Sequence, residues 1–268
     1  MKVILPSNGL LGTRWVDLRE PTFADLRSTI RATEDQFLFK HEFVKRLCEF
    51  DDNKITMDDV QYLYDVAATA VTFKTVTFSV KCPECGAIAK SDFMFGESET
   101  PVRTLDKDSR RCSKTIEGVE YHFHILSAAD GVAIHTYALD DEDSERMIEE
   151  ATVCRVLGYD ITEESIEKVR NLPIAIYVAC FLYINANWHG MDIRKEVECT
   201  ACGKKSTTKI TLDSSWVKMD LAAFIGQFAS VRDCLDFKSY LKFTVPEFKN
   251  FVDYLNAEAK KKDSSNNG

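Results

Sequence analysis

The stretch Cys82-Pro83-Glu84-Cys85-Gly86 has a counterpart in the second half of the chain, Cys199-Thr200-Ala201-Cys202-Gly203. Two residues between the cysteines let both thiolates face one ion, and the glycine relieves the backbone where the chain turns beneath the sulphurs. A structural zinc ion needs four ligands in a tetrahedral arrangement, and each motif supplies only two. The two motifs together therefore predict one shared Zn²⁺ ion. Its predicted ligands are Cys82, Cys85, Cys199 and Cys202.

Each motif is expected at the tip of a β-hairpin. The segment Thr75–Lys81 alternates polar and apolar residues, as a half-buried strand does, and 88–95 is expected to return beside it. In the second half, strands over 193–198 and 207–212 are expected to flank the other motif. This context differs from a thioredoxin-like redox motif, which lies at a helix N-terminus. The pattern favours a pair of zinc knuckles over a redox site.

The same order of elements precedes both motifs. Capping-box patterns, which mark helix starts, occur at 22–25 and at 127–130, and further helix starts follow at 55–60 and at 161–166. A strand, two capped helices and a knuckle hairpin are thus expected twice. We interpret this order as a duplicated unit in an α+β fold that is predominantly helical and has a C-terminal helical region. The alternative is two unrelated α+β halves, each with its own knuckle.

These patterns divide the chain into five segments. A proline, several charges and little periodicity suggest that the two repeats are joined by a linker. The predicted organisation is a first repeat over 1–95, a linker over 96–118, a second repeat over 119–212, C-terminal helices over 213–259 and a disordered tail over 260–268.

Composition limits the classes of function. The chain has 268 residues, of which 45% are hydrophobic and 29% are charged, enough to bury a substantial core. Its net charge of −9 disfavours general nucleic-acid binding and permits a basic protein partner. No signal sequence is visible, and the longest apolar stretch, 172–183, is shorter than the roughly 20 residues that cross a bilayer. We expect that stretch to be a buried helix in a cytosolic-type protein.

Other ligand sets compete with the shared zinc site. The first knuckle could complete its shell with Cys112, His122 and His124. Histidines at alternating strand positions are, however, more typical of a surface or half-buried face. An iron–sulphur cluster could use the same four thiolates, but nothing else in the sequence indicates electron transfer.

The sequence offers little support for an enzyme. It has no HExxH, P-loop, GxSxG or GxGxxG motif. His189, or the pair His122 and His124, could act as a general base, but no paired nucleophile accompanies them. A shell of four thiolates also leaves no open position for water, so the zinc is expected to be structural. The prediction is therefore a non-enzymatic protein. A metalloenzyme or a redox protein ranks third, after the two functions described next.

The opening Leu5-Pro6-Ser7-Asn8-Gly9, with the strand and capped helix of residues 16–25, resembles the start of baseplate proteins of T4-like contractile-tailed bacteriophages. The two knuckles and the aromatic-rich C-terminal region resemble the same group. The resemblance implies a role in baseplate hub assembly, as a chaperone or a minor hub component, with other hub or tail proteins as partners. It also implies a location in the host cytoplasm during assembly or in the virion baseplate. The family offers no catalytic residues to transfer.

The alternative function is a zinc-ribbon module associated with nucleic acid or transcription. Lys204-Lys205 and Arg110-Arg111 offer local positive charge for such a role. The overall charge of −9 opposes it.

Overall fold

The computed structural model describes residues 1–31, 33–71, 75–94, 101–106, 111–139, 141–210, 217, 221–232 and 234–266. Helices account for 45% of the structure and strands for 20%, so the fold is α+β, as predicted. The helices of the described segments are α1 Phe23–Ser28, α2 Gln36–Leu47, α3 Met57–Val71, α4 Ala128–Tyr137, α5 Ser144–Val156, α6 Glu163–Arg170, α7 Ile174–Ala186, α8 Leu221–Ala229, α9 Phe237–Tyr240 and α10 Val245–Asn266.

The strands form antiparallel pairs and no larger sheet among the residues described. They are β1 Lys2–Ile4, β2 Trp15–Asp17, β3 Thr75–Lys81, β4 Ile88–Met94, β5 Val102–Arg103, β6 Arg111–Ile116, β7 Val119–His124, β8 Gly190–Met191, β9 Arg194–Glu198 and β10 Lys205–Lys209. Four pairs are hairpins, namely β1–β2, β3–β4, β6–β7 and β9–β10, whereas β5 pairs with the distant β8. The expected strand over 207–212 begins earlier, because the tight knuckle places Lys205 opposite Glu198. Positions 211 and 212 lie outside the described residues.

Capping boxes mark the starts of α1, α3 and α4. At the start of α3, the Thr56 hydroxyl accepts a hydrogen bond from the Asp59 amide, and the Asp59 carboxylate accepts one from the Thr56 amide. The predicted boxes at Thr22 and Ser127 are also present. Such reciprocal bonds satisfy amides that the first helical turn leaves without partners. The capped starts also pair with one another, because Thr56 forms an antiparallel bridge with Ser127 and Thr22 forms one with Thr244.

The buried apolar side chains form two clusters. The first packs the β1–β2 hairpin against α1, α2 and α3, and it includes Tyr240 and Phe248 from the C-terminal region. The second packs β7 against α4 to α7, with Phe123 and Ile166 among its fully covered side chains. The C-terminal helices therefore complete the core of the first half of the chain.

Two strands lie within the described parts of the segment 96–118, which was expected to be a linker. In its described parts β5 pairs with β8, and β6 pairs with β7. The buried Leu105 donates its amide to the Pro6 carbonyl at 2.9 Å. The hairpin turn at Glu117 and Gly118 has φ values of 52° and 81°, a left-handed pair that two-residue hairpin turns favour. The sequence pattern missed β6 because that strand has few apolar residues.

Two helices differ from expectation. Helix α10 continues to Asn266, beyond residue 260, where the sequence analysis places the start of a disordered tail. Residues 257–262 are alanine, glutamate and lysine, which are strong helix formers. Helix α7 covers most of the stretch that was expected to be buried, but Ile174 on its outer face is 77% exposed. The expectation of complete burial is wrong for that face, since a helix that is apolar all round does not show which side is covered.

None of the described helices is by itself both long and apolar enough to cross a membrane. Helices α6 and α7 meet the length and composition test only when they are taken together, and they bend by 107° where they join.

Candidate metal centre

The tips of the β3–β4 and β9–β10 hairpins bring the four predicted cysteine ligands together. The Cys82 and Cys202 Sγ atoms are 3.7 Å apart, and the Cys85 and Cys199 Sγ atoms are 3.6 Å apart. All four sulphurs lie within 4.8 Å of one another. The hairpins thus place two thiols from each half of the chain around one point.

These separations match the geometry of a metal site. A disulfide would hold its sulphurs about 2.05 Å apart, so the four thiols are not bonded to one another. In a tetrahedral zinc–thiolate shell with Zn–S bonds of about 2.3 Å, neighbouring sulphurs are about 3.8 Å apart. The two measured edges are close to that value. The donor set therefore fits a tetrahedral metal ion.

The two knuckles have the same backbone structure. The Cys82 amide donates to the Ala87 carbonyl at 2.8 Å, and the Cys82 carbonyl accepts from the Gly86 amide at 3.0 Å. The knuckle that begins at Cys199 repeats both bonds, at 2.9 and 2.8 Å. Gly86 and Gly203 have φ values of 72° and 70°, in the left-handed region that glycine tolerates best. The glycine after each CxxC pair is thus required by the turn itself.

Burial also follows the same pattern in both knuckles. Cys82 and Cys199 are 5% and 4% exposed, whereas Cys85 and Cys202 lie on the exposed side of the cluster. The first cysteine of each pair therefore lies on the protein side of the site, and the second faces solvent.

Backbone amides favour the thiolate form of the inner cysteines. The amides of Cys85 and Glu84 donate to the Cys82 sulphur and lower its pKa to about 7. The amides two and three residues after Cys199 lower the pKa of that thiol in the same way. Only the thiolate is an effective metal ligand, so these amides make the inner cysteines ready to bind.

The lysines beside the second knuckle are paired with carboxylates. The Lys204 ammonium lies 3.2 Å from Glu84 of the first knuckle, and Lys205 lies 3.0 Å from Glu196. These exposed pairs contribute little to stability. The carboxylates do, however, offset the local positive charge of the lysines, which the sequence suggested as a binding surface for nucleic acid. Of the other two cations considered, Arg110 lies outside the described residues and Arg111 is the first residue of β6.

The rival ligand set does not assemble. Cys112 lies on β6 and His122 and His124 lie on β7, where both histidines are exposed and Phe123 between them faces the core. Throughout the described segments, the four knuckle cysteines are the one cluster with the proximity that a metal ion requires.

His189 has a structural setting that sequence reasoning missed. It is 2% exposed, and its Nε2 atom lies 2.6 Å from the Thr56 hydroxyl. Its Nδ1 atom lies 2.8 Å from the Asn187 carbonyl and 3.3 Å from the Asp58 carboxylate. The Asn187 carbonyl can only accept, so the ring donates to it from Nδ1, while Nε2 and the Thr56 hydroxyl share a hydrogen bond. The histidine therefore fastens the start of α3 to the segment after α7.

No family model, no curated protein and no solved structure matches this chain.

Proposed function

We propose that this chain is a non-enzymatic assembly protein whose two halves are held together by one structural Zn²⁺ ion, and that it acts by binding other proteins. The observation that carries the proposal is the convergence of four thiols from two distant hairpins at separations near those of a tetrahedral shell. When bound, the ion supplies a fixed cross-link, and four thiolates leave no coordination position for a reacting water. Zinc is preferred to an iron–sulphur cluster because no other feature indicates electron transfer.

The finer description of the fold is also a proposal. We infer that the two knuckle units arose by duplication and are related by a local pseudo-twofold axis. Exchanging the knuckles converts the Cys82–Cys202 edge into the Cys199–Cys85 edge, and these two edges differ by only 0.1 Å (3.7 against 3.6 Å). The two turns also form the same pair of backbone hydrogen bonds, which supports this relationship.

The biological setting that we propose is the baseplate hub of a T4-like bacteriophage, where the protein is a chaperone or a minor hub component. The support is the resemblance of residues 5–25 and of the two knuckles to baseplate proteins of that group. A net charge of −9 and apolar side chains exposed on α7 suit binding to other proteins.

Co-expression with individual hub and tail proteins tests this function. The expected result is a stable complex with at least one tail component, lost in Cys82→Ser and retained in Cys112→Ser, a substitution of an exposed thiol outside the cluster. Failure of every tail component to co-purify would contradict the proposal. Mass spectrometry of purified particles beside the infected-cell lysate then separates a chaperone from a hub component.

Duplex DNA binding tests the alternative of a zinc-ribbon nucleic-acid module. We expect no salt-dependent binding at micromolar protein, because Lys204 and Lys205 are paired with carboxylates and the net charge is −9. Micromolar or tighter affinity that falls steeply with salt would replace the assembly function with the nucleic-acid one.

A further inference from the structure

Helix α7 presents a row of large apolar side chains to solvent. Ile174, Val178 and Leu182 are 77%, 51% and 60% exposed. Their spacing of four residues places them on one face of the helix, one turn apart. No residue of α7 carries a charge. Its opposite face, which includes Ile176 and Cys180, is buried in the second core cluster, so the outer row is not part of that core.

A cavity of about 210 Å³ reaches the flank of α7, although none of the three row residues lines it. Phe181, which is next to Leu182 and three residues after Val178, lines the cavity from α7. The remaining wall exposes mainly apolar surface, including Leu126 and Ile184, and Asp58, His124 and His189 also line it. The volume is comparable to one large aromatic side chain. A pocket of this kind next to an apolar stripe is the usual setting for an aromatic anchor of a partner.

The rim on the cavity side is acidic. Glu145 and Glu149 are exposed on α5 one turn apart, and Thr152, on the next turn, lines the cavity. Burial and the charge of Glu150 raise the pKa of Tyr177 on α7, Arg170 opposes them, and Glu149 adds a smaller raising effect. Within the described part of the chain, Glu145 and Glu149 form no ion pair. Their charge is therefore available to a partner.

We propose that the outer face of α7 and the adjoining cavity together form a docking site for an amphipathic helix of another protein, with an aromatic side chain in its apolar stripe and lysines or arginines on its flanks. The apolar row matches the stripe, the cavity accepts the aromatic ring, and the acidic rim attracts the basic flanks. This inference deepens the proposed protein-binding function and rests on it. A second copy of this chain fits less well, because each copy would bring the same acidic rim and a net charge of −9.

The test uses the full-length, zinc-loaded protein and three synthetic helical peptides that differ in one property each. The first carries a leucine stripe with one tryptophan and lysine flanks, the second has glutamates in place of the lysines, and the third has alanine in place of the tryptophan. By fluorescence anisotropy we expect the first peptide to bind, and each of the others to bind about tenfold more weakly.

Leu182→Lys should weaken binding of the first peptide about tenfold or more, because it places a cation in the apolar row. Ile4→Lys is the matched control, since Ile4 is 61% exposed on β1 and Leu182 is 60% exposed. The control should bind as the unmodified protein does. Equal binding of the peptide by Leu182→Lys and Ile4→Lys would overturn the proposal, as would failure of all three peptides to bind.

Two further measurements separate this inference from the phage function. If sedimentation shows a dimer that Leu182→Lys dissociates, a second copy occupies the face and the proposed partner is wrong. If a tail component co-purifies equally with Leu182→Lys, the docking site is wrong while the assembly function stands. If no tail component binds but the basic peptide does, the docking site stands and the baseplate function fails.

Discussion

The sulphur of Cys82 lies 3.7 Å from the sulphur of Cys202, although 120 positions separate the two residues in the chain. The edge between Cys85 and Cys199 is equally short across 114 positions. Neither half of the chain can complete this cluster alone. Metal binding at this point therefore closes a long loop and is coupled to folding of the whole protein.

Replacing Cys82 or Cys199 with serine should abolish stoichiometric zinc binding and lower the free energy of unfolding by more than about 3 kcal/mol, because either change breaks a shell that both halves share. We also expect reduced solubility. Elemental analysis and denaturant unfolding measure the two effects. Cys112→Ser, on the exposed β6, should retain about one zinc per chain. Full zinc content in Cys82→Ser would show that the thiol is not a ligand.

Two glycine-to-alanine substitutions test the packing between the halves. A Cβ atom at Gly131 in α4 would overlap the Phe37 ring and approach the Met57 Cγ at 2.8 Å, whereas one at Gly226 in α8 would meet nothing within 4 Å. Gly131→Ala should therefore lower the free energy of unfolding by about 1–3 kcal/mol, because the added methyl group overpacks the contact. Gly226→Ala should raise the free energy of unfolding by about 0.5–1 kcal/mol, because alanine has the higher helix propensity. Urea unfolding measures both, and stabilisation by both alanines would contradict the close approach of α4 to α2 and α3.

Asp65 should make stability depend on pH. Burial raises the pKa of this carboxyl to about 7, against smaller lowering effects from the hydrogen bond of Gln61 and from the charges of Lys40 and Lys209. The unfolded-state pKa is about 3.9. Between these values the native state binds more protons than the unfolded chain, so this contribution to stability is present at low pH and is lost as pH rises through about 7.

Asp65→Asn removes this titration. Relative to the variant, the unmodified protein should lose up to about 3 kcal/mol of unfolding free energy between pH 5 and pH 8. Urea unfolding across that range, with zinc in excess, measures the difference, and protonation of the knuckle thiols affects both proteins alike. A difference that stays constant with pH would show that the carboxyl titrates normally.

Local patterns predicted those parts of the fold that local forces determine. The alternation in Thr75–Lys81 gave the bounds of β3, and the capping patterns placed the starts of α1, α3 and α4. The strands β5 and β8 are two residues each and pair across the chain, so no periodicity reveals them. Strand β6 is polar, and its turn uses Glu117 where asparagine or glycine is typical.

The candidate site was the most predictable feature, because CxxCG spacing specifies which thiols can face one ion. The setting of His189 was not predictable. Its partner Thr56 is 133 positions away, and their hydrogen bond exists only because α3 and the segment after α7 pack together. The exposure of Leu182 could not be predicted for a related reason. The sequence of an all-apolar helix does not indicate which face the core covers.

X-ray absorption at the zinc edge of the purified protein, combined with metal stoichiometry, tests the shared ion most directly. We predict about one zinc per chain, with four sulphur neighbours at about 2.3 Å and no nitrogen or oxygen in the shell. Two zinc ions per chain, a mixed shell of sulphur with nitrogen or oxygen, or iron in place of zinc would contradict a single structural zinc bound by both knuckles.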